Sequence, residues 1–473
     1  MADRELHDLS LGEAAALVAA RKLSPLELTE ACIARAEALD AKLNAYITRT
    51  FDTALAEAKV ATAAIAAGRY QGPLHGIPFA LKDLYETAGV RTTAASKLRE
   101  EYVPAEDASV VTRLKEAGVV MLGKLNLHEW AFGGTNINTY FPTAHNPWDL
   151  SRITGGSSGG SGAALAAGLC LGSLGSDTAG SIRIPASLCG ITGLKPTYGR
   201  ASLRGVVPLS WSLDTAGPMA RSAADCALIL QAIAGFDPLD PASVDVPVPD
   251  YAASLSGRLD GPATGSGHGL RVGLVTNYFF DEDAVEPEVA AAVLAATEEL
   301  RQLGAAVEEV VVPGMEEATA WALTMIVADA TAFHETRLRD HPDDFGPAVL
   351  ARLQTAASIG AVQYAQARRA QAELRATLRD LFLGLDLLVC PTSPIVAPPI
   401  EATDAATRSL ARHTAPFNLA GVPAASVPCG FSSEGLPIGL MIAGRWWEEA
   451  TVLRAAHAYQ QATDWHKRRP ALL

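Results

Sequence analysis

Three short stretches hold the residue types that could do covalent chemistry. ITGGSSGGSG, from Ile153 to Gly162, packs five glycines and three serines into ten residues. GSDTAGSIRIPAS, from Gly175 to Ser187, places a second serine, Ser181, 24 residues beyond Ser157. IPFALKD sets one lysine, Lys82, among apolar residues. A phosphate cradle needs a lysine directly after the glycines, but Gly160, Ser161 and Gly162 run into alanines. Gly155–Gly159 formally matches GxSxG, the nucleophile elbow of α/β-hydrolases. That elbow needs a hydrophobic strand before it, and HNPWDLSRIT is polar and turn-like. It also needs a downstream acid and then a histidine, and none of the six later histidines is marked by its surroundings. The third chemistry uses lysine as base. Burial disfavours the ammonium and lowers its pKa, which a base near neutral pH requires. Taken singly, Lys82 reads as a strand-end lysine paired with Asp83 or another carboxylate, and Ser157 and Ser181 as turn serines.

The elements that must position these residues alternate between strand and helix. His75–Asp83 and Val119–Asn126 read as buried strands. A helix follows Ser24, which caps it with Pro25 at the first position and Glu27 closing a capping box, and Leu28, Cys32, Ala36 and Leu39 share one face. Further helices are expected over Thr53–Ala67, Pro287–Gly304, Val362–Leu381 and Glu448–Ala462. Strands are expected in RVGLVTNYF, AAVEEVVVP, LDLLVCPTSP, PAASVPCG and GLPIGLMIAG. This alternation implies an α/β fold with a largely covered sheet. The Gly/Ser-rich segment 254–270 reads as a surface loop within one domain spanning 1–473.

Composition narrows the classes. The chain has 473 residues, 49% of them hydrophobic and 19% charged, with a net charge of −14. That charge disfavours nucleic acid and anionic membrane as partners, and there is no basic run. The six cysteines (Cys32, Cys170, Cys189, Cys226, Cys390 and Cys429) form no CxxC pair, so neither a zinc site nor a disulfide framework is indicated. The charged start, MADRELHDLS, is unlike a signal peptide, and AALAAGLCLGSLG is too short to span a bilayer. A cytoplasmic setting is expected.

Read together, GGSSGGSGAALAAG and GSDTAGSIRIPAS resemble the amidase signature family of serine hydrolases. Lys82 lies 75 residues before Ser157, as that family's pattern requires. The words HGIPFALKDL, GKLNLHEWAFGGTN, HNPWDLSRITGGSSGG, GLKPTYGR, DTAGPMARS and NLAGVPAASVPCG agree as well. The resemblance runs from about residue 8 to about residue 465. It implies the family's fold, a large mixed sheet covered by helices on both faces. It implies Ser181 as nucleophile, Ser157 as a bridging serine in a cis peptide with Gly156, and Lys82 as base. The N–H groups of Thr178, Ala179, Gly180 and Ser181 would form the oxyanion hole, with Ala179 standing where many relatives have glycine. Ser158 and Asp177 would orient the triad or simply cap the loop. Arg183 would support Asp177 or the loop, or touch substrate. Ala131, Phe132 and Gly133 would line the leaving-group side of the cleft, and His128 and Trp130 beside them read as packing residues. No cofactor or metal is called for.

Amidotransferase subunits of this family carry an acid shortly before the NLAG word. The stretch SLARHTAPFNLAG, Ser409 to Gly421, has none. This points to a stand-alone hydrolase of small neutral amides, aryl amides or carbamates, with no nucleic-acid or membrane partner. A homodimer is a family-level expectation. The alternatives are a GxSxG esterase using Ser157, a catalytically silent scaffold, and a glutaminase-type amidotransferase subunit.

Overall fold

A computed structural model describes residues 5–260, 269–402 and 409–471. Thirteen strands are present among them: β1 (Tyr46–Arg49), β2 (Pro78–Lys82), β3 (Val120–Leu125), β4 (His145–Asn146), β5 (Asp149–Ile153), β6 (Gly172–Asp177), β7 (Thr192–Lys195), β8 (Thr215–Ala220), β9 (Arg271–Val275), β10 (Ala306–Val310), β11 (Leu387–Pro391), β12 (Ala424–Phe431) and β13 (Pro437–Gly444). Eleven form one sheet in the order β1-β3-β2-β6-β8-β7-β12-β13-β11-β9-β10. It is mixed: β3, β2 and β6 run parallel, as do β11, β9 and β10, with antiparallel pairs between them. Every residue of β2, β3, β6, β8 and β13 is buried. Successive side chains point to opposite faces of a strand, so both faces of the sheet are covered by helices.

The α/β reading therefore holds, and most expected elements appear within a few residues of their anticipated ends. Ser24 and Glu27 form the capping box that starts helix Pro25–Leu43. Three elements escaped the pattern. β6 (GSLGSD) and β8 (TAGPMA) are built from small and turn-type residues because the packing leaves no room for larger ones. A Cβ on Gly172 would lie 2.6 Å from the Phe79 ring, and one on Gly217 would lie 2.3 Å from the Leu194 carbonyl oxygen. Helix Met315–Asp340, 26 residues long, lies in a segment read only as variable. HNPWDLSRIT, taken as turn-like, is the β4–β5 hairpin. Of the loop expected over 254–270, residues 261–268 lie outside the described residues. All six cysteines are free and buried. No helix among the described residues is long and apolar enough to cross a membrane.

The sheet order positions the chemistry. β2 and β6 are parallel neighbours, pairing Phe79 with Gly172 and Leu81 with Leu174. Their carboxyl ends therefore lie side by side. Lys82 is the last residue of β2, and Asp177, the last of β6, leads directly into the turn that bears Ser181.

Candidate active site

Lys82 is fully buried, with Nζ 2.7 Å from Ser157 Oγ and 2.8 Å from Ser176 Oγ. Its sequence neighbour Asp83 is not its partner. The strand alternation turns Asp83 away, and its carboxylate lies 3.1 Å from the Lys124 ammonium on β3. Burial pushes the Lys82 pKa down to about 7, against a partial upward pull from the carboxylates of Asp177 and Asp214. A neutral amine held on a hydroxyl can take that hydroxyl's proton.

Ser157 follows a cis peptide bond with Gly156 and opens into helix Gly159–Ala166. The glycines permit close packing here: a Cβ on Gly160 would lie 2.5 Å from the Asn126 nitrogen and 2.6 Å from the Ala45 carbonyl. The strand before Ser157 is β5, which pairs only with β4 outside the main sheet. The strand–turn–helix setting of a nucleophile instead surrounds Ser181, between β6 and helix Arg183–Cys189. Ser158 ties the two stretches together. Its N–H donates to the Ser181 carbonyl at 3.2 Å, and its hydroxyl to the Ser176 carbonyl at 3.3 Å.

The turn itself is built on Asp177. One carboxylate oxygen accepts from the Gly180 N–H at 2.8 Å and the other from the Ile182 N–H at 3.1 Å. Arg183 donates to both oxygens at 3.0 Å, and Asn418 Nδ2 donates to Oδ1 at 2.8 Å. Burial alone would raise the Asp177 pKa, but the Arg183 ion pair overrides it and holds the carboxyl down at about 2. Arg183 also donates to Asn418 Oδ1 at 2.5 Å, which closes an Asp177–Arg183–Asn418 network. Gly180, expected among the oxyanion donors, thus has its N–H engaged by Asp177. The N–H groups of Thr178, Ala179 and Ser181 have no acceptor among the described residues. Gly180 has φ +130°, and a Cβ there would lie 2.1 Å from Thr414 Oγ1, so only glycine fits. That hydroxyl donates to the Ala179 carbonyl at 2.5 Å.

Ala131, Phe132 and Gly133 lie beside Ser157 through His128, whose N–H donates to the Ser157 carbonyl at 3.0 Å. Burial, reinforced by the cations of Arg352 and Lys82, pushes the His128 pKa down to about 3, so its ring is neutral. That ring contacts Thr135 and Arg352. Arg352 also donates to the Phe132 carbonyl. Trp130 packs in an aromatic cluster with Phe333, His334 and Phe345. Sequence reasoning missed Ser176, Asn418 and Arg352. Ser176 could have been found one residue before Asp177. Asn418 stands in the quoted NLAG word, and Arg352 left no local signal. Among the described residues no cluster of His, Cys, Asp and Glu could hold a metal ion.

A mixed sheet with a buried lysine, two serine-bearing turns and an Asp–Arg–Asn brace at the strand ends defines an amidase-type α/β enzyme. The chain belongs to the Amidase family, whose profile matches residues 27–453. It is 44% identical, over 99% of both chains, to the corresponding subunit of the glutamyl-tRNA(Gln) amidotransferase of Moorella thermoacetica. The crystal structure of that subunit from Thermotoga maritima matches with a TM-score of 0.83 at 31% identity, covering 99% of this chain and 98% of that one. A peptide amidase matches with a TM-score of 0.85 at 33% identity, covering 98% of each chain.

These relatives correct two expectations. The reading as a hydrolase of neutral amides, aryl amides or carbamates rested on one missing acid between Ser409 and Gly421. End-to-end identity with amidotransferase subunits outweighs a single position, because many segments of the chain can supply a polar group to one cleft. The expectation of a small-molecule substrate alone, with no nucleic acid, rested on net charge. Net charge speaks to direct phosphate contact by this chain, and not to membership of an assembly that acts on a tRNA.

Proposed function

We propose that the chain is the amide-hydrolysing subunit of an amidotransferase acting on glutamyl-tRNA(Gln), and that it releases ammonia from a glutamine-type donor. The observation that carries this reading is the 44% identity over 99% of both chains with such a protein. The Lys82–Ser157 contact supports the chemistry. Neutral Lys82 takes a proton from Ser157 as Ser157 takes one from Ser181. Ser181 Oγ attacks the carboxamide carbon, and the N–H groups of Thr178, Ala179 and Ser181 stabilise the oxyanion. The proton returns through Ser157 to the leaving nitrogen. Ammonia departs, leaving an acyl ester on Ser181. Water attacks the ester by the same proton route and frees the acid. Arg352, beside Phe132, offers a donor carboxylate a planar cation.

The test is to combine the chain with the remaining amidotransferase subunits and glutamyl-tRNA(Gln), then follow ammonia and glutaminyl-tRNA. Glutamine-dependent amidation that is lost in Ser181→Ala is the expected result. A chain that hydrolyses simple carboxamides with a higher kcat/KM than glutamine, and supports no amidation, would overturn the proposal.

A further inference from the structure

A chain of buried polar groups runs from the Ser181 turn out to two long helices. The Thr178 hydroxyl donates to Asp214 Oδ1 at 2.6 Å. The same carboxylate accepts the N–H of Leu209 at 2.9 Å and that of Ser210 at 3.1 Å to each oxygen. Ser210 then donates its hydroxyl to Asp329 Oδ2 at 2.6 Å, and the Tyr364 hydroxyl donates to Asp329 Oδ1 at 3.1 Å. Asp329 belongs to helix Met315–Asp340 and Tyr364 to helix Ala361–Leu381. Thr178, Ser210, Asp214 and Asp329 are all buried.

This wiring is more than a satisfied loop. Asp214 precedes β8, whose Thr215 pairs with Asp177 at the end of β6, so Asp214 reaches across the ladder to the first residue of the turn. The segment 209–214 is closed on itself, with the N–H groups of Leu213 and Asp214 both donating to the Ser210 carbonyl. It is also gripped from outside by Tyr198, whose hydroxyl donates to the Trp211 carbonyl at 2.6 Å. A buried carboxylate must hold such donors or be expelled. Oxyanion donors lose their value when displaced by a fraction of an ångström, and Thr178 is one of those donors.

We infer that Asp214 is a positioning residue for the turn that carries Ser181, and that Asp329 and Tyr364 hold Asp214's segment in place through Ser210. The two long helices thereby act on the acylation step without touching the reacting atoms. The inference rests on Ser181 being the nucleophile. The charged and titratable groups facing Asp214 are Lys82 from β2 and the phenols of Tyr85 and Tyr198.

The test is the rate at which a small fluorophosphonate labels Ser181, measured across pH, with melting temperatures alongside. This readout needs neither donor nor tRNA. Asp214→Asn and Thr178→Val are each expected to slow labelling by about 10–100-fold. The double variant is expected to be no slower than the slower single, because both break one link. Thr178→Ser, which keeps the hydroxyl, is expected to stay within about threefold of wild type. Asp214→Asn is also expected to move the acid limb to lower pH, since Lys82 loses an anionic neighbour. Asp329→Asn is expected to slow labelling about 3–10-fold and leave that limb in place. Multiplicative losses in the double variant, or Asp214→Asn labelling at the wild-type rate, would overturn the inference. If Asp214→Asn does not fold, Asp329→Asn decides, and a wild-type rate there overturns it. A wild type without label on Ser181 overturns the nucleophile reading and this inference with it.

Discussion

Lys82 and Lys124 stand at the ends of neighbouring parallel strands, β2 and β3, and both are fully buried. Burial lowers the pKa of each. Their partners differ. Lys124 lies 3.1 Å from the Asp83 carboxylate and donates to Thr92 Oγ1 and the Tyr85 carbonyl. Lys82 has two hydroxyls at hydrogen-bond distance, and the carboxylates that pull on it act from further off. A partner carboxylate makes a buried lysine a structural cation, whereas hydroxyl partners leave it able to exchange a proton. Burial alone did not separate the two roles.

The sharpest way to break this comparison is to replace each lysine by methionine. Lys82→Met is expected to lower the rate of ammonia release by about 10³-fold, within the range for losing a general base, with no fall in Tm. Lys124→Met is expected to do the reverse. It leaves Asp83 buried without its cation, and losing one partner of such a pair destabilises by about 3–5 kcal/mol, measurable by urea unfolding. Equal effects on rate and stability in both variants would erase the distinction.

The next test is pH. Lys82 acts as base only when neutral, so kcat is expected to rise with pH through about 7. The sign for stability follows from the same shift. Between about 7 in the fold and about 10.4 in the unfolded chain, the unfolded state binds more protons, so Lys82 makes stability rise with pH across that window. Lys82→Met is expected to flatten that rise. Asp177 works oppositely at the acid end: its stabilisation is present above about 3.9 and fades as pH falls towards about 2.

The smallest effect is expected from Ser176→Ala. It removes one of the two hydroxyl contacts of Lys82 and leaves Ser157 in place. A single hydrogen bond contributes about 1 kcal/mol, so kcat should fall about fivefold. A loss as large as that of Lys82→Met would place Ser176 on the proton path itself.

The sequence by itself determined the parts that local chemistry writes. The capping box of Ser24 and Glu27, the apolar runs of β2 and β3, and the Lys82, Ser157 and Ser181 words are all legible in single stretches. It did not write which serine follows a main-sheet strand. GxSxG at Ser157 looked like an elbow, yet the strand before it pairs outside the sheet, while the unread strand GSLGSD leads into the Ser181 turn. Small residues carry little periodic signal, and only the crowding of Phe79 and Leu194 explains their choice. Tertiary structure also decided the long-range partners. Asn418 reaches Asp177 across 241 positions, Arg352 reaches Phe132 across 220, and Asp329 reaches Ser210 across 119. Such contacts depend on the order of strands in the sheet and the helices laid over it, and no window along the chain holds that order.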